Sequence, residues 1–148
     1  MWNLSPSERL RFWYDFRQKL NHISFEQALR DTTHLWSYAP FVKHYLHYHD
    51  VSNWPGPWEL VYENTYCDLA KALGILYTLH LCNHRPEMEI RIYNDISTKE
   101  QYNLVWIEKG KYVINYVFDD VVNKQQIENN IKLVKTITIN ELAVTEIE

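Results

Sequence analysis

The sequence predicts an α+β domain, with a helical hairpin and a buried central helix packed on a small antiparallel sheet. Three observations carry that prediction. Two capped amphipathic segments follow one another before Pro40. The stretch from Cys67 to Leu81 is apolar on most sides. Beyond Met88 the chain changes to alternating and β-branched residues, with Lys109-Gly110 as a compact turn between two such runs. At 148 residues the whole is one ordinary domain, large enough for a real core. It divides into a helical part over 1–50, a helix and hairpin over 64–118, and a strand-and-turn segment over 119–148.

The elements follow in order. Ser5-Pro6-Ser7-Glu8 places a capping Ser, a Pro at the first helical position and a Glu three after the cap. The helix they open runs to about Asn21 with Leu10, Trp13, Tyr14, Arg17 and Leu20 along one stripe. Ser24-Phe25-Glu26-Gln27 repeats the capping logic, and Phe25, Ala28, Leu29, Thr32, Leu35 and Trp36 line one face of a second helix stopped before Pro40. Asn53-Trp54-Pro55-Gly56-Pro57-Trp58 is the strongest breaker in the chain, and Pro57 can start a short helix over Trp58–Asn64. Cys67 then opens the central helix, which runs to about Leu81. Four strands are expected at Met88–Tyr93, Tyr102–Glu108, Lys111–Val117 and Leu133–Ile139, with a polar turn over Gln125–Ile131.

Composition excludes several classes. A net charge of −4, with no run of Lys or Arg longer than two, argues against a nucleic-acid surface. The longest apolar run falls short of a membrane span. The start, Met1-Trp2-Asn3-Leu4-Ser5-Pro6, runs into a charged helix without a signal-peptide pattern, so synthesis in a reducing cytosol and no secretion by a signal of its own are expected. Cys67 and Cys82 flank one helix and lie ~22 Å apart by helical rise, too far for a disulfide. Three glycines leave no phosphate-cradling loop, and no cofactor is implied. Eleven Tyr and six Trp exceed what one small core needs and point to protein–protein contacts, with Trp54, Trp58, Tyr45 and Tyr48 as candidate interface residues.

Few residues carry candidate chemistry. Cys67 stands on the first turn of a helix, where the helix N-terminus favours a thiolate. Its ordinary alternative is a small buried hydrophobe. A nucleophilic Cys needs an imidazole within about 3 Å. His80 lies ~20 Å along the same helix and His84 beyond it. His44, His47 and His49 come from the helical half, and their spacing does not say whether they approach the thiol. Followed by Asp50, these three are also the only cluster with metal-ligand residue types. A helix aligns only His44 with His47 and a strand only His47 with His49, so a solvated surface segment is the favoured reading and no metal is expected. Glu87 and Glu89 share a strand face, which a solvent-facing sheet surface explains.

Tyr66-Cys67-Asp68-Leu69-Ala70-Lys71-Ala72-Leu73-Gly74 resembles the nucleophile helix of the transglutaminase-like, papain-like superfamily, and Asn103–Val113 is similar to that family's later hairpin. The resemblance covers about Asn64–Phe118. It implies a transglutaminase-like fold with Cys67 as nucleophile. The family's His falls on Leu104 if aligned through Trp106, or on Asn103 if aligned through Gly110. Its Asp falls on Asn115 or Tyr116. No base is retained at any of these positions. The expected function is therefore a non-catalytic structural or assembly protein that works through aromatic surfaces. Its partners would be other protein subunits, copies of itself among them. The order Trp-Pro-x-Pro-Trp-Glu-Leu, Glu63-Asn64, Tyr66-Cys67-Asp68 also resembles small tailed-bacteriophage proteins, which implies a virion component of neck, tail or baseplate built in the host cytoplasm. The alternative is a cysteine hydrolase or transferase acting on amide bonds through Cys67, with a base recruited from His44, His47 or His49 or from a partner chain.

Overall fold

The structure is a computed structural model in which residues 1–43 and 45–142 are described. Helix α1 spans Pro6–Leu20 and α2 Phe25–Ser37. Ser5 and Glu8 close a capping box on α1, and the Ser24 hydroxyl accepts the Gln27 N–H at 3.1 Å to start α2. Helix α3 is Pro57–Glu63 and α4 is Asp68–His80. Strands β1 Met88–Asp95, β2 Gln101–Ile107, β3 Tyr112–Ile114, β4 Val121–Val122 and β5 Ile131–Thr138 form one antiparallel sheet ordered β4-β3-β2-β1-β5. No helix among the described residues is long and apolar enough to cross a membrane.

The sheet separates two apolar layers by its period-two alternation. Ile90 and Ile92 of β1, Val105 and Ile107 of β2, Ile114 of β3 and Ile137 of β5 face α4 and join the main core. Tyr93, Leu104, Trp106, Val113 and Val122 form a second cluster on the other face. There Arg91 lies over the Trp106 ring at 4.3 Å and covers it from water. Helix α4 is buried from Leu69 to Leu79 except at half-buried Lys71, as its apolarity on most sides predicts.

The helical layer is locked by one hydroxyl. Thr78 Oγ1 accepts the indole N–H of Trp13 at 3.0 Å and of Trp36 at 2.9 Å, and donates to the Gly74 carbonyl at 2.7 Å. Trp36 lies flat against Gly74, where a Cβ would overlap its ring. Arg9, buried at 3% exposure, donates to the carbonyls of Val61, Tyr62 and Leu4 and so ties α1 to the end of α3.

Two strands differ from expectation. The run Lys111–Val117 stops as a strand at Ile114, because Asn115 takes a left-handed conformation with φ 73° and turns the chain. The two-residue β4 is too short to carry a pattern of its own. The turn at Lys109-Gly110 is as expected, with Glu108, Lys109 and Gly110 all at positive φ.

Candidate functional site

Cys67 is the N-cap of α4, in extended conformation and 5% exposed. Its placement starts one residue earlier. Tyr66 is fixed by a parallel bridge to Phe41, with Tyr66 N–H donating to the Pro40 carbonyl and Val42 N–H to the Tyr66 carbonyl. Its ring packs edge-on against Trp2 and Trp36. The sulfur accepts the Leu46 N–H at 3.4 Å. Cys67 lines a cavity of about 260 Å³ together with Lys43, His47, Tyr48, Asp68, Gln101 and Asn103.

Alternation along β2 settles which residue faces the thiol helix. Odd positions point toward α4, so Asn103 does and Leu104 points into the opposite cluster. Asn103 is 3% exposed, and its amide N–H donates to Asp68 Oδ2 at 2.9 Å. Gln101 in turn donates to Asn103 Oδ1 at 2.6 Å. Asn115, just past β3, donates from its amide to the Asn103 carbonyl at 2.9 Å and to the Asp68 carbonyl at 3.2 Å. Tyr116 turns away to contact Tyr102 on the other face. Asn103, which shares the Cys67 cavity, and Asn115, which lines a second one, are thus both spent on holding the first turn of α4.

Asp68 was not singled out by the sequence, yet it is the acidic group of the site. Burial pushes its carboxyl above the usual aspartate range, with the Asn103 amide working the other way. On its far side a second cavity of about 160 Å³ is lined by Ser37, Asp68, Lys71, Asn115, Val117 and Phe118. Burial pulls Lys71 below the usual lysine range, opposed by Asp68.

The histidines scatter. His47 is exposed and lines the Cys67 cavity, and the His49 ring is tilted against Tyr48 with centroids 4.2 Å apart. His44 lies outside the described residues. His34 pairs with Asp119 at 3.0 Å, and His84 Nε2 sits 2.9 Å from the Leu20 carbonyl. Among the described residues no hydrogen bond joins an imidazole to Cys67, and no group of three or more His, Cys, Asp or Glu is placed to hold a metal ion. Cys82 is buried with Leu20 and Ala28, and both cysteines are free.

The aromatic candidates are packed more than the sequence suggests. Trp54 is 6% exposed and its indole N–H donates to the His47 carbonyl at 2.8 Å, so it anchors its own loop. Trp58 is half-buried against Trp13 and the Arg17 guanidinium. Tyr45 and Tyr48 are half-buried against the core.

No family model matches the chain, and no curated protein matches it. Among solved structures, calcium-bound LapG of Legionella pneumophila aligns with a TM-score of 0.73 at 10% identity, over 93% of this chain and 78% of that one. A second structure of Legionella pneumophila LapG aligns with a TM-score of 0.67 at 9% identity, over 91% of this chain and 83% of that one. The likeness is one of fold, and the fold is transglutaminase-like. Neither the architecture nor these likenesses supports a place in a phage particle.

Proposed function

We propose that the chain is a transglutaminase-like domain that no longer cleaves amides and serves instead in protein–protein assembly. The observation behind this reading is Asn103, which faces the α4 N-terminus where a base would have to stand. An amide cannot take the thiol proton, and a thiolate without a proton donor for the leaving amine is a poor amidase. Asn103 is also not free to turn, since its N–H is spent on Asp68 and its Oδ1 on Gln101.

A second reading keeps the thiol active. It is favoured by one observation, that His47 lines the same cavity as Cys67 while the Leu46 N–H is aimed at the sulfur. The two readings separate in one assay, in which the full chain is incubated with fluorogenic aminoacyl amides and with unfolded casein. No cleavage that depends on Cys67 is expected. Cleavage that disappears in both Cys67→Ala and His47→Ala would establish the enzyme and end the assembly reading.

A further inference from the structure

The sheet has two edges of different character. Strand β4 is two residues long and lies beside α2. Strand β5 is eight residues long and pairs on one side only, with β1. Among the described residues no other strand meets it, and no backbone hydrogen bond joins residues 132–137 to anything but β1. Lys132, Leu133 and Val134 are exposed in succession, Leu133 at 43% and Val134 at 41%. A long edge with apolar side chains and unpaired amides is a template for another extended chain.

Charge and connectivity separate the candidate occupants. Strand β5 carries Lys132 and Lys135 and no carboxylate, so two copies meeting edge to edge would crowd four ammoniums together. The chain's own continuation has the opposite charge and starts in place. After β5 a three-residue turn, Ile139–Glu141, leads to Leu142, whose N–H donates to the Ile139 carbonyl at 3.2 Å. Leu142 is extended, with φ −98° and ψ 150°, and packs on the same core as Ile137. A connection this short suits an antiparallel return. Residues 143–148, outside the described residues, read Ala-Val-Thr-Glu-Ile-Glu, with three β-branched side chains, two carboxylates and no Gly or Pro. A segment of another protein would have to displace this neighbour, tethered at an effective concentration on the order of millimolar.

We propose that the open edge of β5 is a strand-docking site whose occupant is the chain's own segment 143–148, added antiparallel as a sixth strand. With Leu142 beside Ile137, and the register shift of β5 opposite Ile92 and Tyr93 counted in, Glu146 comes beside Lys132 and Ile147 beside Ile131. The ion pair fixes the register, and the added strand covers Leu133 and Val134. The inference goes beyond the assembly reading and holds under either reading of the thiol.

The test is amide hydrogen exchange on the ¹⁵N-labelled full chain, followed residue by residue along β5. In a bare edge strand alternate amides point outward and exchange as in an open chain, whereas a covered strand protects them all. Protection across residues 132–137, independent of protein concentration, is expected. Val144→Pro together with Thr145→Pro removes a donor whichever way it points, and should speed the outward amides about tenfold. Lys132→Glu should speed them about threefold, and Lys132→Glu combined with Glu146→Lys should restore the slow rate. Outward amides that exchange freely in the parent, or protection that the two prolines leave intact, would overturn the proposal. Protection that grows with protein concentration would overturn it too, because a second copy would then be covering the edge.

Discussion

Asp68 borders two cavities at once, that of Cys67 and that of Lys71, and its side chain explains much of the local design. Its folded carboxyl is raised above the ordinary 3.8 by burial. Below that value it is protonated in both states and contributes nothing to pH dependence. As pH rises past it, the unfolded chain ionises first while the folded chain still holds the proton, so stability falls until the folded carboxyl ionises as well. Asp68→Asn keeps an acceptor for the Asn103 amide and has no charge to bury. It should therefore match the parent in urea unfolding below pH 3.8 and exceed it at neutral pH. A variant no more stable than the parent at neutral pH would contradict this account. The sequence marked Cys67 by its place at a helix start and by the resemblance of Tyr66–Gly74, but left the facing residue open between Leu104 and Asn103. Only the side of the sheet that α4 covers decides it, and that is a tertiary fact.

Within α4 the decisive feature is polar. Thr78 gathers two indole N–H groups that would otherwise be buried without acceptors. Thr78→Val keeps the shape and removes the oxygen, and should cost about 2–6 kcal/mol in urea unfolding, at about 1–3 kcal/mol for each stranded donor. Thr78→Ser keeps the oxygen and should cost far less. Equal losses for the two would mean that packing, not hydrogen bonding, holds this point. The helices themselves were legible, because Ser5, Ser24 and Pro57 mark their starts with chemistry local to the chain. Strand β3 was misjudged because the alternation continues through Asn115 and Tyr116, while a positive φ at Asn115 ends the ladder. The two residues of β4 acquire their extended form from pairing with β3 and have too little sequence to announce it.

Across the whole molecule, Trp13 and Trp36 on the hairpin join Thr78 on the helix that the sheet covers, so the layers share one core. Tryptophan fluorescence and far-ultraviolet circular dichroism should accordingly give one coincident urea transition, and a sheet that persists after the fluorescence change would contradict this. The α+β class and the order of its major elements could be read from the chain, whereas the pairing order of the strands could not. That order has a consequence during synthesis. Strand β1 lies between β2, which follows it directly, and β5, which is translated much later. While the ribosome makes the intervening residues, one margin of β1 stays open, offering its amides and carbonyls to any passing extended chain. The nascent protein is most vulnerable to mispairing in that interval, and β5 ends it by covering the open margin.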